Sequence, residues 1–98
     1  MYFKVHESQK SRIVAVCDEE LIGKVLQDED IYLDLNKYRS FYVGEKGTEE
    51  TVKEALKKFN SANIIGKNSV KVIIEMGLAN KDEVRYIKRI PYIQLYKI

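Results

Sequence analysis

A chain of 98 residues, 45% hydrophobic and 33% charged, can bury one core but not two, so one domain spanning 1–98 is expected. The apolar share excludes a disordered chain, and no run approaches the roughly 20 apolar residues of a membrane-spanning helix. Net charge is only +2, yet residues 1–50 hold 7 basic and 11 acidic side chains while 51–98 hold 10 and 4, which points to an anionic partner for the basic half unless the two halves pair with each other.

Cys17 is the only cysteine, so no internal disulfide can form and a reducing compartment fits. The first residues lack the apolar run of a signal peptide, and the expected location is the cytoplasm. In chain order, Tyr2–His6 and Arg12–Cys17 flank a polar stretch and read as a hairpin. Asp18, Glu19 and Glu20 cap and open one helical turn that Gly23 stops. Alternating Ile31, Leu33 and Leu35 give a third strand, and Ser40–Val43 a fourth, closed by Gly44 and Gly47. Thr48 caps a helix whose Val52, Ala55, Leu56 and Phe59 share a face. A second helix is expected over 67–76, with Val70, Ile73 and Ile74 inward and Gly77 as its stop. Strands follow over 84–90 and 92–96, with a bend or sheet edge at Pro91. The expected fold is α+β: a small, mostly antiparallel sheet of N-terminal hairpin, further central strands and C-terminal strand, packed against two consecutive helices. Its core is expected to contain Phe3, Val5, Ile13, Ala15, Leu33, Val52, Leu56, Phe59, Val70, Ile73 and Ile74.

No catalytic or metal constellation stands out, no cofactor is implied, and no enzyme is expected. His6 and Cys17 are each single; as a nucleophile and base they need to meet, and the open end of the hairpin is where they would. The acidic runs Asp18–Glu20 and Asp28–Asp30 read as a cap and a solvated turn rather than a cation loop. More distinctive is an echo: Leu21-Ile22-Gly23-Lys24 recurs as Ile64-Ile65-Gly66-Lys67. Glycine lets a backbone approach closely and lysine adds a point charge, so Lys24 and Lys67 are expected to converge on an anionic chain. Gly66-Lys67-Asn68-Ser69 would open a helix with outward N–H groups. Position 61 is Ser61, where a nucleotide-binding loop needs glycine, so nucleotide hydrolysis is rejected. The C-terminal segment from Arg85 through Lys88 and Arg89 to Tyr92 and Tyr96 is basic and tyrosine-bearing, suited to phosphates and unpaired bases. Turn glycines with solvated lysines, and an amphipathic strand with half-buried tyrosines, are the simpler accounts of these two features.

The stretches Cys17–Lys24, Ser61–Lys67, Glu75–Leu78 and Ile90–Gln94 resemble the archaeal family filed as domain of unknown function 424, over nearly the whole chain. Family members usually carry histidine where this chain has Tyr92, which argues against catalysis at that position. The resemblance implies a cytoplasmic stand-alone domain and no established activity, with RNA binding inferred for the family. It marks Cys17, Asp18, Gly23, Lys24, Asn63, Gly66 and Lys67 for attention. The leading expectation is a non-enzymatic RNA- or ribonucleoprotein-binding domain using Gly23, Lys24, Asn63, Gly66, Lys67, Arg85, Lys88, Arg89 and Tyr92. The alternatives are a protein-interaction adaptor or homodimer joined through a sheet edge at Ile93, Leu95 and Ile98, and a small enzyme using Cys17 or an acidic cluster.

Overall fold

The structure, a computed structural model, describes residues 1–97. The N-terminal hairpin forms as the alternation requires. Strand β1 (Tyr2–Glu7) pairs antiparallel with β2 (Arg12–Cys17), Tyr2 facing Cys17 and His6 facing Ile13. A 3-10 turn at Glu19–Leu21 leads to β3 (Val25–Gln27) and β4 (Tyr32–Asp34), which pair only with each other. The acidic run between them is a turn, not a cation loop: the Asp28 carboxylate accepts from the N–H groups of Asp30 and Ile31.

The expected strand at Ser40–Val43 is instead a short helix, α1 (Arg39–Tyr42). A strand would send Phe41 and Tyr42 to opposite faces, whereas a helical turn lets both press on one surface. Tyr42 is buried there, and Phe41 stacks on His6 with ring centroids 4.6 Å apart. Strand β5 (Glu45–Lys46) then borders β1, and α2 (Glu49–Ala55) starts from Thr48, whose hydroxyl accepts from Thr51 N–H in a reciprocal capping box.

The two helices are not consecutive. Strand β6 (Ser61–Ile65) lies between α2 and α3 (Lys67–Glu75) and pairs parallel with β2, so the sheet is mixed rather than mostly antiparallel. After a second 3-10 turn at Lys81–Glu83, β7 (Arg85–Ile87) and β8 (Ile90–Tyr96) form a closing hairpin. The six-stranded order is β5-β1-β2-β6-β8-β7.

Both faces of this sheet are covered, which explains why Val14, Ala15, Val16 and Cys17 are all fully buried on the central β2. One face carries Phe3, Val14, Val16, Ala62, Ile64, Ile93 and Leu95 against Val52, Leu56, Phe59, Val70 and Ile73 of the α2–α3 side. The other carries Ala15, Cys17, Ile65 and Ile87 against Leu21, Leu26, Leu35 and Tyr42. Of the expected core, Val5, Ile13, Leu33 and Ile74 are only partly buried and the rest are buried. Among the described residues no helix is long and apolar enough to cross a membrane.

Candidate nucleic-acid interface

The Gly-Lys echo resolves into two different devices. At the first, Gly23 adopts φ +91° and its N–H donates to Leu35 O, joining the 3-10 turn to the β3–β4 layer. At the second, Gly66 adopts φ +114° beneath a carboxylate: a Cβ there would lie 2.2 Å from Cγ of Asp18. Asp18, 2% exposed, does not cap its own turn. It reaches across from the end of β2 and accepts from Asn68 N–H (3.0 Å), Ser69 N–H (2.8 Å) and Ser69 Oγ–H (2.6 Å). Buried N–H groups at a helix start need an acceptor and favour a negative one. The anion at the head of α3 is therefore the protein's own, and the expected outward N–H groups of Asn68 and Ser69 are already taken.

The bend expected at Pro91 is displaced as well. Pro91 lies within β8 opposite Tyr86. Its missing N–H costs little, because the carbonyl of its ladder neighbour Gly66 already accepts from Val70 N–H at 2.9 Å. The chain reverses at Lys88 and Arg89, both with positive φ (48° and 67°), in a two-residue turn of the kind usually built from Asn-Gly. With residues 84–90 no longer one continuous strand, Arg89 does not share a face with Arg85. Arg89, Tyr86 and Pro91 line one surface, and Arg85 and Tyr92 line the other.

On the α3 side lies a groove of about 480 Å³ with an apolar floor of Val70, Ile74, Val84 and Pro91. Lys67, Lys71, Lys81 and Arg89 surround it, with Tyr86 61% exposed at its edge. Among the described residues none of these four cations forms an ion pair; Glu75, the one acid on the lining, is 3.8 Å from Lys53. Nor, among the described residues, does any close ion pair join the two halves of the chain. The ion pairs Arg12–Glu7 and Lys46–Glu19 stay within the acidic half, and Lys53–Glu75 and Lys57–Glu54 within the basic half.

Of the expected site residues, Lys67 and Arg89 meet in this groove and Lys88 stands at the adjacent hairpin tip. Asn63, Arg85 and Tyr92 are brought together on the opposite face of the sheet. Gly66 is buried under Asp18, and Gly23 stands against Arg39, where an added Cβ would lie 3.0 Å from its guanidinium. Lys24 leads into β3 and is not part of the groove, so the expected convergence with Lys67 does not take place there. Lys71 and Lys81 escaped the sequence reading. A signal existed for the first: Lys67 and Lys71 are an i,i+4 pair of like charges, an arrangement that costs a helix about 0.2–0.5 kcal/mol.

His6 and Cys17 do not meet. The hairpin register sets them four residues apart, about 13 Å along the strands. His6 Nε2 is 2.9 Å from Phe41 O, and burial, followed by the Asp18 and Glu20 charges, pushes the Cys17 thiol up to about 12. At neutral pH it is a protonated, buried thiol. Among the described residues no three His, Cys, Asp or Glu side chains converge as a metal site would require.

The architecture defines a class: a small α+β domain with a mixed six-stranded sheet, α2 and α3 on one face and the β3–β4 hairpin with the short α1 on the other. Within that class the chain belongs to the family described as protein of unknown function (DUF424), whose model matches residues 6–98. It is also similar in fold to the crystal structure of an uncharacterized conserved protein from Methanopyrus kandleri, with a TM-score of 0.80 and 24% identity over 97% of this chain and 89% of that one. No curated protein matches the sequence.

Proposed function

We propose that this protein is a non-enzymatic, cytoplasmic RNA-binding domain that holds the sugar-phosphate backbone of a single strand, free or within a ribonucleoprotein, in the groove beside α3. The observation that carries this reading is the set of four cations, Lys67, Lys71, Lys81 and Arg89, gathered around an exposed tyrosine and, among the described residues, without any acidic partner of their own. Clustering like charges costs energy unless an anion arrives, and phosphates spaced along a chain supply several at once. Tyr86 gives a base a stacking surface beside them.

The test is a fluorescence-anisotropy titration of labelled single-stranded RNA at about 50 and 200 mM salt. Four neutralised phosphates on a single strand give a log–log slope of about −3, so affinity falls roughly fiftyfold over that range. The Lys67→Ala, Arg89→Ala double variant loses about half of that slope, equally for all sequences, since backbone contacts carry no base information. Lys24→Ala, outside the groove, has the smaller effect. Absence of binding at the lower salt, or a double variant with the wild-type slope, overturns the proposal.

A second reading is self-association through the sheet. Beyond Tyr92, β8 has β6 on one side and, among the described residues, no strand on the other, leaving residues 93–96 as an unpaired edge. Ile93 and Leu95, expected to face a partner, are instead buried in the core, and Ile98 lies outside the described residues. A mass that rises with concentration in light scattering favours this reading over the first.

A further inference from the structure

The hairpin that edges the basic groove also closes a second recess on the opposite face of the sheet. A cleft of about 440 Å³ lies between β6, β7 and β8 on one side and the β3–β4 layer on the other. This size falls within the ~300–1,000 Å³ common for small-molecule sites. Register sets its floor. Asn63 and Gln94 oppose each other directly across β6 and β8, and Gln94 Nε2 donates to Asn63 Oδ1 at 3.1 Å. An amide has two N–H donors and one carbonyl acceptor. The mutual bond therefore leaves Asn63 Nδ2–H as a free donor beside Gln94 Oε1 as a free acceptor.

Aromatic surface stands on both sides of this pair. Tyr92 and Tyr96 lie two residues before and after Gln94 and share its face of β8, about 6.7 Å away in each direction. Tyr32 lines the wall contributed by β4. Tyr32 is 60% exposed and Tyr96 71% exposed, so both offer open ring surface to a ligand in the cleft. Arg85, cross-strand from Tyr92, lines the same cleft. A purely apolar ligand would leave the amides unsatisfied, and a bare phosphate would leave the tyrosines unused. A planar ring with a donor and an acceptor on one edge satisfies both.

We propose that this cleft takes one unpaired nucleobase, its ring stacked on tyrosine and its hydrogen-bonding edge met by Asn63 Nδ2–H and Gln94 Oε1. Arg85 meets the phosphate that leads out of the cleft. The inference rests on the RNA reading and adds a base-recognising site to a backbone-holding one. The two sites are connected by a thin rim: β7 is three residues long and forms the edge of the sheet, with Tyr86 on the groove side and Arg85 on the cleft side. A single strand passing over that edge reaches both.

The experiment compares an eight-nucleotide single-stranded RNA with an abasic strand of the same backbone, at low salt, against the wild-type protein, the Asn63→Ala, Gln94→Ala double variant and Tyr96→Ala. Wild type binds the RNA about tenfold more tightly than the abasic strand, as one stacked and hydrogen-bonded base allows. The double variant keeps only the part of that preference that stacking on Tyr86 supplies, with its salt slope unchanged, because its cations are untouched. Tyr96, being so exposed, is removed without harm to folding, so Tyr96→Ala carries the test if the double variant does not fold; it too loses affinity for RNA but not for the abasic strand. Equal binding of the two strands, or a preference undiminished in every variant that folds, overturns the base site and leaves the basic groove standing. Failure of both strands to bind overturns the groove and the cleft together.

Discussion

At the scale of single residues, Asp18 and Gly66 act as one device: the carboxylate fits over the helix start only because position 66 has no Cβ. Gly66→Ala combines a left-handed backbone with an overlap against Asp18 and is expected to cost at least about 3 kcal/mol. Gly77 offers the contrast. It has φ +70° but nothing within 4 Å of an added Cβ, so Gly77→Ala costs only about 1 kcal/mol. Denaturant midpoints of the two variants measure the difference, and equal shifts would refute the role given to Asp18. Cys17 makes a prediction in pH. Its thiol is raised from 9.0 to about 12 by burial, so below pH 9 folded and unfolded chains are both protonated there. From pH 9 to 12 the unfolded chain releases a proton that the folded chain retains, and stability falls as pH rises, by up to about 1.4 kcal/mol per pH unit. Tyr42, raised from 10.0 to about 12 by burial and then by Cys17, adds to the fall above pH 10. Cys17→Ala flattens the decline that chemical denaturation records between roughly pH 9 and 10. A decline of unchanged steepness rejects this assignment.

Among the elements, the β7–β8 hairpin is where local preference and fold disagree most. A two-residue turn with positive φ at both positions prefers Asn-Gly, and here Lys88 and Arg89 occupy it. The Lys88→Asn, Arg89→Gly double variant is expected to stabilise the protein by about 1–2 kcal/mol and to weaken RNA binding. Thermal unfolding and anisotropy read the two effects separately, and a variant that melts lower contradicts the account of the turn. The same unfavourable residue choice hid the reversal from sequence, because Lys-Arg carries no turn signature while Pro91 does. Elements whose local signals agree with their environment were plain: the N-terminal hairpin from its alternation, α2 from Thr48 and its apolar face, α3 from its periodicity and Gly77. Those recruited by tertiary contact were not. Phe41 and Tyr42 favour a strand by propensity and form a helix because both sit against the sheet. Strand β6 shows its alternation only weakly, with Ser61 and Asn63 against Ala62 and Ile64, and becomes a strand because β2 and β8 flank it.

Over the whole molecule, the charge asymmetry was visible in the residue counts, and the side chains gathered by separate elements were not. Arg89 and Lys67 share a groove with Lys81 only once β7, α3 and the second 3-10 turn are in place. Asn63 finds Gln94 only through the β6–β8 register. The Asp18 contact has one more consequence, for the order in which the chain assembles. Ser69 lies 51 residues from Asp18, and the parallel pairing of β2 with β6 must close the intervening loop before the carboxylate can reach it. Such long-range closure is slow and cooperative, and it makes the first turn of α3 stable only in the complete sheet. Amide hydrogen exchange at Ser69 is therefore expected to require global unfolding, at the same free energy as the most protected amides of β2, whereas exchange at the last turn of α3 proceeds by local fraying. In Asp18→Ala the two ends of the helix exchange alike, and α3 no longer reports on the closure of the sheet.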